Sequence, residues 1–351
     1  MTPSELEAAI GCGEPIRGLS LAGLDLSGAR LAGAVFEGVD FTGADLGGAD
    51  LSESIFQGCD FTSVRLSAAR LEHTILTKCV LRDVVATGLL GAYAAVVECE
   101  VERVSMSRSD LRHVSFAQTP LVEVDLSRAD LTKTNFADCG ELRVDFSGAT
   151  MVETALVQAD LSGATLTGVE AQKVVFVKCD LSARDFSGQT LPMFQFMSCD
   201  LSGARFDGAT LDRCGFHDSV LTEASFDGAT ARSCLFAEAR LDAASVRQGD
   251  FTMSVFASAS LRGTNFSESK LAQCVFQDAD ATDARFVGSE LTYADFSRAD
   301  LTGADFTGAL LFRARLHGVK DEGAVFAGSR AIALGDDPEL LEAERWQARN
   351  S

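Results

Sequence analysis

The chain has 351 residues, with 30 Lys and Arg against 51 Asp and Glu, for a formal charge of −21. That balance excludes direct gripping of nucleic acid or an anionic membrane, because displacing the counterions of a polyanion takes Lys and Arg. Usage is skewed as well: 24 Phe stand against 1 Trp and 2 Tyr, and 31 Gly against 5 Pro, as one kind of slot filled repeatedly would give.

In chain order, the opening Met1 to Glu7 is acidic and lacks the apolar core of a signal peptide. No stretch approaches eighteen uninterrupted apolar residues, so no transmembrane helix is predicted. A cytoplasmic location is expected, and any export would proceed without a signal peptide. Thr2-Pro3-Ser4-Glu5 reads as a capped helix start with Pro in the first turn. Residues 1–15 are therefore expected to form an N-terminal helical cap.

From residue 16 a period of five takes over. Leu21, Leu26, Leu31, Phe36, Phe41, Leu46 and Leu51 begin a series that ends at Leu311, Leu316 and Phe326. Nearly every Phe falls on it, Phe194 and Phe312 excepted. Two residues earlier stands a smaller slot, filled by Ala29, Ala34, Val39, Ala44 and Ala49. A period of five suits neither helix nor continuous strand. It suits short extended sides joined by turns, each placing two residues inward. Gly28, Gly33, Gly38, Gly43 and Gly48, two after the centre, can supply the positive φ such turns need.

The columns give the number of sides. Cys59, Cys79, Cys99, Cys139, Cys179 and Cys199 differ by multiples of twenty, as do Cys214, Cys234 and Cys274. Phe196, Phe216, Phe236, Phe256 and Phe276 form one twenty-residue column, and Phe186, Phe206, Phe226, Phe266 and Phe286 another. Four pentapeptides per coil give each column one identity.

The pattern in Ala44-Asp45-Leu46-Gly47-Gly48 and Ala299-Asp300-Leu301-Thr302-Gly303 resembles the pentapeptide-repeat family. The resemblance implies an all-β fold, a right-handed quadrilateral β-helix over residues 16–331 whose stacked Phe and Leu leave no side chain to line a cavity. Between about Leu81 and Met106 the pattern weakens, because Ala86 and Gly91 replace large centres. A narrowed or kinked coil is expected there. Glu141 and Asp321 also occupy centres, and at Glu141 the neighbouring Leu142 is expected to substitute through a bulge. Asp337-Pro338-Glu339 opens a second helix, so residues 332–351 are read as a C-terminal helical cap. Its Leu340, Leu341 and Trp346 are candidates for lid contacts or, as the family implies, for homodimer contacts.

No catalytic, cofactor-binding or metal-binding residues are expected. The Cys fill a small inward slot as apolar residues, and His73, His113, His217 and His317 are not spaced with them as zinc ligands. Carboxylates just before the centre (Asp40, Asp60, Asp160, Asp180) read as a solvated face. The candidate binding surface is apolar instead. Beside one Phe column lie Val35, Ile55, Ile75, Val175, Leu235, Val255 and Val275 on one flank, and Val97, Val157, Val177 and Met197 on the other. Alternation about the centre turns them toward solvent, where apolar strips usually mark contact surfaces.

A non-enzymatic scaffold that holds a protein partner through this strip is therefore expected. The opening Met1 to Ile10, followed by Gly13-Glu14-Pro15-Ile16-Arg17-Gly18, resembles the leader of long pentapeptide-repeat proteins encoded in bacterial type VI secretion clusters. That resemblance implies a secretion spike or effector protein as partner. The alternative is an acidic DNA mimic that binds a type II topoisomerase, as the family's quinolone-resistance branch implies.

Overall fold

The computed structural model describes residues 3–350, so the helix cap expected at Thr2 lies outside them. The chain forms two compact units, Met1–Asp180 and Leu181–Ser351, built on the same rule.

The first unit opens with helix α1, Pro3–Gly11. Leu6 is buried, and the Glu7 carboxylate accepts the backbone N–H of Arg30 at 2.9 Å. The helix thus covers an edge that would otherwise expose apolar rungs. Short parallel strands then follow at twenty-residue intervals: β1 Ile16–Arg17, β2 Val35–Glu37, β3 Ile55–Gln57, β4 Ile75–Thr77, β5 Ala95–Val97, β6 Ser115–Ala117, β7 Asn135–Asp145, β8 Ala155–Asp160 and β9 Val175–Val177. Val35 pairs with Ile55, Ile55 with Ile75 and Ile75 with Ala95. Isolated bridges repeat that spacing on the other sides, as in Asp40↔Asp60, Asp45↔Arg65 and Asp50↔Arg70. Phe36, Phe41, Leu46 and Leu51, the four centres of one coil, are wholly buried. The coil therefore has four inward-facing sides.

In the second unit β10, Gln195–Met197, is followed by isolated parallel bridges at the same interval, such as Leu235↔Val255↔Val275. Its core is an aromatic lattice. Phe216 and Phe236 stack at 4.7 Å with rings 2° apart, whereas Phe216 meets Phe226 of the opposite column edge-on, at 5.9 Å and 86°. Offset stacks along a column and edge-to-face contacts across it are the two arrangements the ring quadrupole favours. Beyond the last coils come a 3-10 turn, Ser329–Ile332, and helix α2, Pro338–Asn350.

Hydrogen bonds between coils explain the period. The centre N–H donates to a carbonyl nineteen residues on (Leu46 to Arg65, 2.8 Å), and so does the corner N–H (Gly48 to Ser67, 2.9 Å). The N–H before each centre donates back by twenty-one residues (Arg65 to Ala44, 3.1 Å). Hydroxyls and thiols in the small slot satisfy what the turns leave over. Ser54 Oγ donates to the Leu31 carbonyl at 2.9 Å and accepts the Ala34 N–H at 3.2 Å, and Cys59 Sγ donates to Phe36 O at 3.5 Å. The corner takes positive φ whether or not Gly stands there: 65° at Gly48, 59° at Glu53 and 58° at Ala243. Stacking imposes this conformation, and Gly only makes it cheaper.

The bulge expected at Glu141 is present. The pairing of β7 shifts between Ala137 and Gly140 and shifts back between Arg143 and Val144. Glu141 is exposed, while Leu142 is buried opposite Leu121. Between Leu81 and Met106, the stretch expected to narrow or kink, the strand pairing continues. Val80 still pairs with Glu100, and Leu81 with Val101. The missing bulk at Ala86 and Gly91 leaves an apolar cavity of about 50 Å³, which corrects the expectation of a completely filled interior.

Phe216→Ala, which removes a ring from both stacks, is expected to cost about 3–5 kcal/mol, read as a lower chemical-denaturation midpoint. Ala243→Gly, at a corner held in the left-handed region, is expected to raise stability by about 1 kcal/mol. A drop on that substitution would contradict the corner argument.

Candidate functional site

The outward positions of a side are the two residues flanking its centre and the corner that follows. In the first unit the side made by β2 to β9 carries Val35, Ile55, Ile75 and Val175 before the centre, and Val97, Val157 and Val177 after it. Val35, Val97, Val157, Val175 and Val177 are half-buried against their strand neighbours, while Ile55 and Ile75 are 40% and 41% exposed. Glu37 is paired with Arg17 at 2.8 Å at the start of this side. From β3 to β9 no flanking position is charged until the last residues of β7 and β8, which turn onto the next side. In the second unit Met197 and Leu235 are exposed, and Val255 and Val275 half-buried, on the corresponding side. That side ends where residues 334–337 cross it. Leu334 bridges Arg315, the Asp337 N–H donates to His317 Nδ1 at 3.2 Å, and Asp336 accepts the Gly318 N–H at 2.8 Å. His317, an outward residue by sequence, is buried there. Nothing in the repeat announces this covering segment.

The remaining sides are polar for structural reasons. Aspartates before a centre accept the N–H two residues on: Asp40 from Thr42 at 2.9 Å, Asp60 from Thr62 at 2.8 Å, Asp160 from Ser162 at 2.8 Å and Asp300 from Thr302 at 3.1 Å. Each thereby closes a turn. Others enter ion pairs across one coil spacing, such as Arg65–Asp45 at 2.9 Å, Arg103–Asp83 at 2.6 Å and Arg298–Asp278 at 2.7 Å. The acidic columns are thus broken by Arg and partly occupied in holding corners.

Nine cysteines are buried and Cys12 is exposed. Burial pushes the Cys139 thiol up to about 11 and those of Cys214 and Cys274 up to about 12. Such thiols are poor nucleophiles and poor ligands. Among the described residues no group of three His, Cys, Asp or Glu is placed to hold a metal ion. No helix among them is long and apolar enough to cross a membrane.

Two surface features stand outside the apolar strip. His73, Tyr93 and His113 stack as a ladder of corner residues, 5.0 and 4.5 Å apart and within 9° of parallel. Their twenty-residue spacing at corners is the signal that finds them. In the second unit Leu310, Phe312 and Tyr293 are exposed apolar residues on a side away from the strip, with the Tyr293 and Phe312 rings 5.9 Å apart. In α2, Leu340 is 45% exposed, Trp346 is 67% exposed, and Leu341 is half-buried.

The model for pentapeptide repeats (eight copies) matches residues 18–58, 44–83, 102–139, 143–182 and 199–236. The model for a pentapeptide repeat region matches 249–326. No curated protein sequence matches the chain. Among solved structures, the plasmid-mediated fluoroquinolone resistance protein QnrB1 is similar at 22% identity, covering 56% of this chain and 98% of its own, with a TM-score of 0.40. HetL, involved in heterocyst differentiation regulation in the cyanobacterium Nostoc, is similar at 19% identity, with coverage of 95% and 94% and a TM-score of 0.16. A pentapeptide repeat protein from the thylakoid lumen of Arabidopsis thaliana is similar at 26% identity, with coverage of 38% and 68% and a TM-score of 0.19.

Two outcomes follow from the titrating groups. A thiol reagent should label Cys12 quickly in the folded protein and the buried thiols only after denaturation; fast labelling of the others would contradict their burial. The carboxyls of Asp25 and Asp300 are held below the usual range, chiefly by the hydroxyls of Ser27 and Thr302. A carboxyl depressed in the folded state stabilises at pH above its unfolded value of about 4. That contribution is lost as pH falls through the lower folded value. Melting temperature should therefore fall below about pH 4, and a flat profile down to about pH 2 would contradict the capping role.

Proposed function

The chain belongs to the pentapeptide-repeat family, and from that premise we propose that it is a non-enzymatic scaffold whose outward apolar strips hold a protein partner. One observation carries the reading. In each unit one side presents the longest run of Val, Ile, Leu and Met at its flanking positions, while the flanking positions of the other sides carry mainly Asp, Arg, Ser and Thr, with Val85, Leu90, Leu310 and Phe312 as exceptions. A stacked, strand-paired surface is rigid, so a partner meets it with little ordering cost. The net charge of −21 favours a partner whose apolar contact is rimmed by Lys and Arg. In its finer form, supported by the leader resemblance, the partner is a secretion spike or effector protein loaded for type VI delivery. The Leu340, Leu341 and Trp346 face of α2 is proposed as a homodimer contact or a lid.

Photo-crosslinking residues placed at Ile75, Val97 and Leu235 should capture a discrete partner, whereas the same residue at Asp45 or Ser225 should not. With the crosslinking residue kept at Ile55 on the same side, Ile75→Asp with Val97→Asp and Leu235→Asp should abolish the adduct and leave the melting temperature within a few degrees, because these side chains lie outside the core. Equal capture from all positions, or capture that survives the triple substitution, sinks the proposal.

The charge itself supports a second reading, an acidic mimic of DNA that binds a type II topoisomerase. A supercoiling assay in which the protein neither inhibits nor protects gyrase would remove it.

A further inference from the structure

The coil that departs most from the repeat points inward. Its four centres are Leu81, Ala86, Gly91 and Val96, with Leu66 and Leu71 in the coil before and Met106 and Leu111 in the coil after at the slots of Ala86 and Gly91. Leu89, in a slot where the neighbouring coils hold Ala69 and Ser109, returns part of the lost volume. So do Leu89 and Leu111 by leaning into the place of a missing side chain: a Cβ built on Gly91 would lie 3.5 and 3.3 Å from their Cδ2 atoms. The remainder is the cavity of about 50 Å³. Its wall includes Leu66, Leu71, Leu89, Val96, Val104 and Met106. A second observation agrees. Leu81, Val96 and Met106 keep 9%, 8% and 7% of their surface accessible, where the stacked centres Phe36, Phe41 and Leu46 keep none.

The chemistry of the wall selects the occupant. The exposed wall is entirely apolar, and the nearby backbone groups are already paired: Ala86 N–H to Ser105 O at 2.7 Å, Gly91 N–H to Asp110 O at 2.8 Å and Leu89 N–H to Ser109 Oγ at 3.0 Å. Water needs two to four polar partners in such a space and finds none, so the cavity stays dry. A dry apolar void leaves its lining short of dispersion contacts that an apolar guest restores. We propose that this coil is a binding site for a small apolar molecule of about one to three heavy atoms, a nonpolar gas or its like, held by shape and dispersion alone. The site is independent of the outer strips.

Xenon is the probe. Methyl NMR of the intact protein under increasing xenon pressure should show saturable shifts confined to methyls lining the cavity, those of Leu71, Leu89, Val96, Val104 and Met106 among them. Ala86→Leu, which places in this column the residue already at Leu66 and Leu126, should weaken xenon binding at least tenfold. Val96→Phe, which matches Phe116 in its own column, should do the same from the opposite side. Shifts in the unmodified protein that never saturate, or that spread evenly over surface methyls, overturn the proposal. So does binding unchanged in whichever filled variant folds.

Discussion

Within each unit the coils are stacked so that a residue lies over the one twenty positions away, because backbone N–H groups donate to carbonyls nineteen residues ahead and twenty-one behind. Everything else in the architecture is set by that register. With neighbouring strands about 4.8 Å apart, identical flat side chains in a column meet at stacking distance, as Phe266 and Phe286 do at 5.0 Å with parallel rings. A slip of one residue would turn every inward ring outward. At Glu141 the pairing shifts and shifts back within the same strand, β7. The compensation is tight because the register on both sides of the bulge must agree.

Much of this was legible in the sequence. A strict period of five, with Phe and Cys confined to columns twenty apart, specifies four sides per coil and names the inward residues, and the pairings agree with it residue by residue. Leu142 could be read as the substitute for Glu141 because a bulge moves a neighbour into the slot without disturbing later phase. What could not be read was volume. Periodicity says which slot Ala86 and Gly91 occupy, but whether Leu89 and the neighbouring coils fill the space depends on side-chain packing in three dimensions. Coverage was equally invisible: His317 sits in an outward slot, and only the path of residues 334–337, outside the repeat, hides it. The apolar flanks were visible as residue types, yet their partial burial between adjacent strands was not.

A repetitive interior also concentrates information on the exterior. Inward columns accept a narrow set of side chains in every coil, so they specify the fold and little more. Outward aspartates are constrained too, since many accept the turn N–H two residues on. Exposed ion pairs of this kind add little stability, but they offset like charges stacked along a corner, as Lys173–Glu153 at 3.3 Å does. The apolar flanks meet neither requirement. Val and Ile suit a strand, but strand preference alone does not leave the flanks of the other three sides mainly polar. That contrast is why the proposed contact surface lies there.

The twenty-residue register is open to a direct chemical measurement. Cysteines introduced together at Ser225 and Ser245, residues that bridge one another in adjacent coils, should lie within disulfide reach and form an intramolecular crosslink under mild oxidation. Cysteines at Ser225 and Asp250, offset by one side of the coil, should not. Rapid crosslinking of the first pair alone is the predicted result. Equal crosslinking of both pairs, or of the offset pair alone, would contradict the register on which the core, the strips and the cavity all depend.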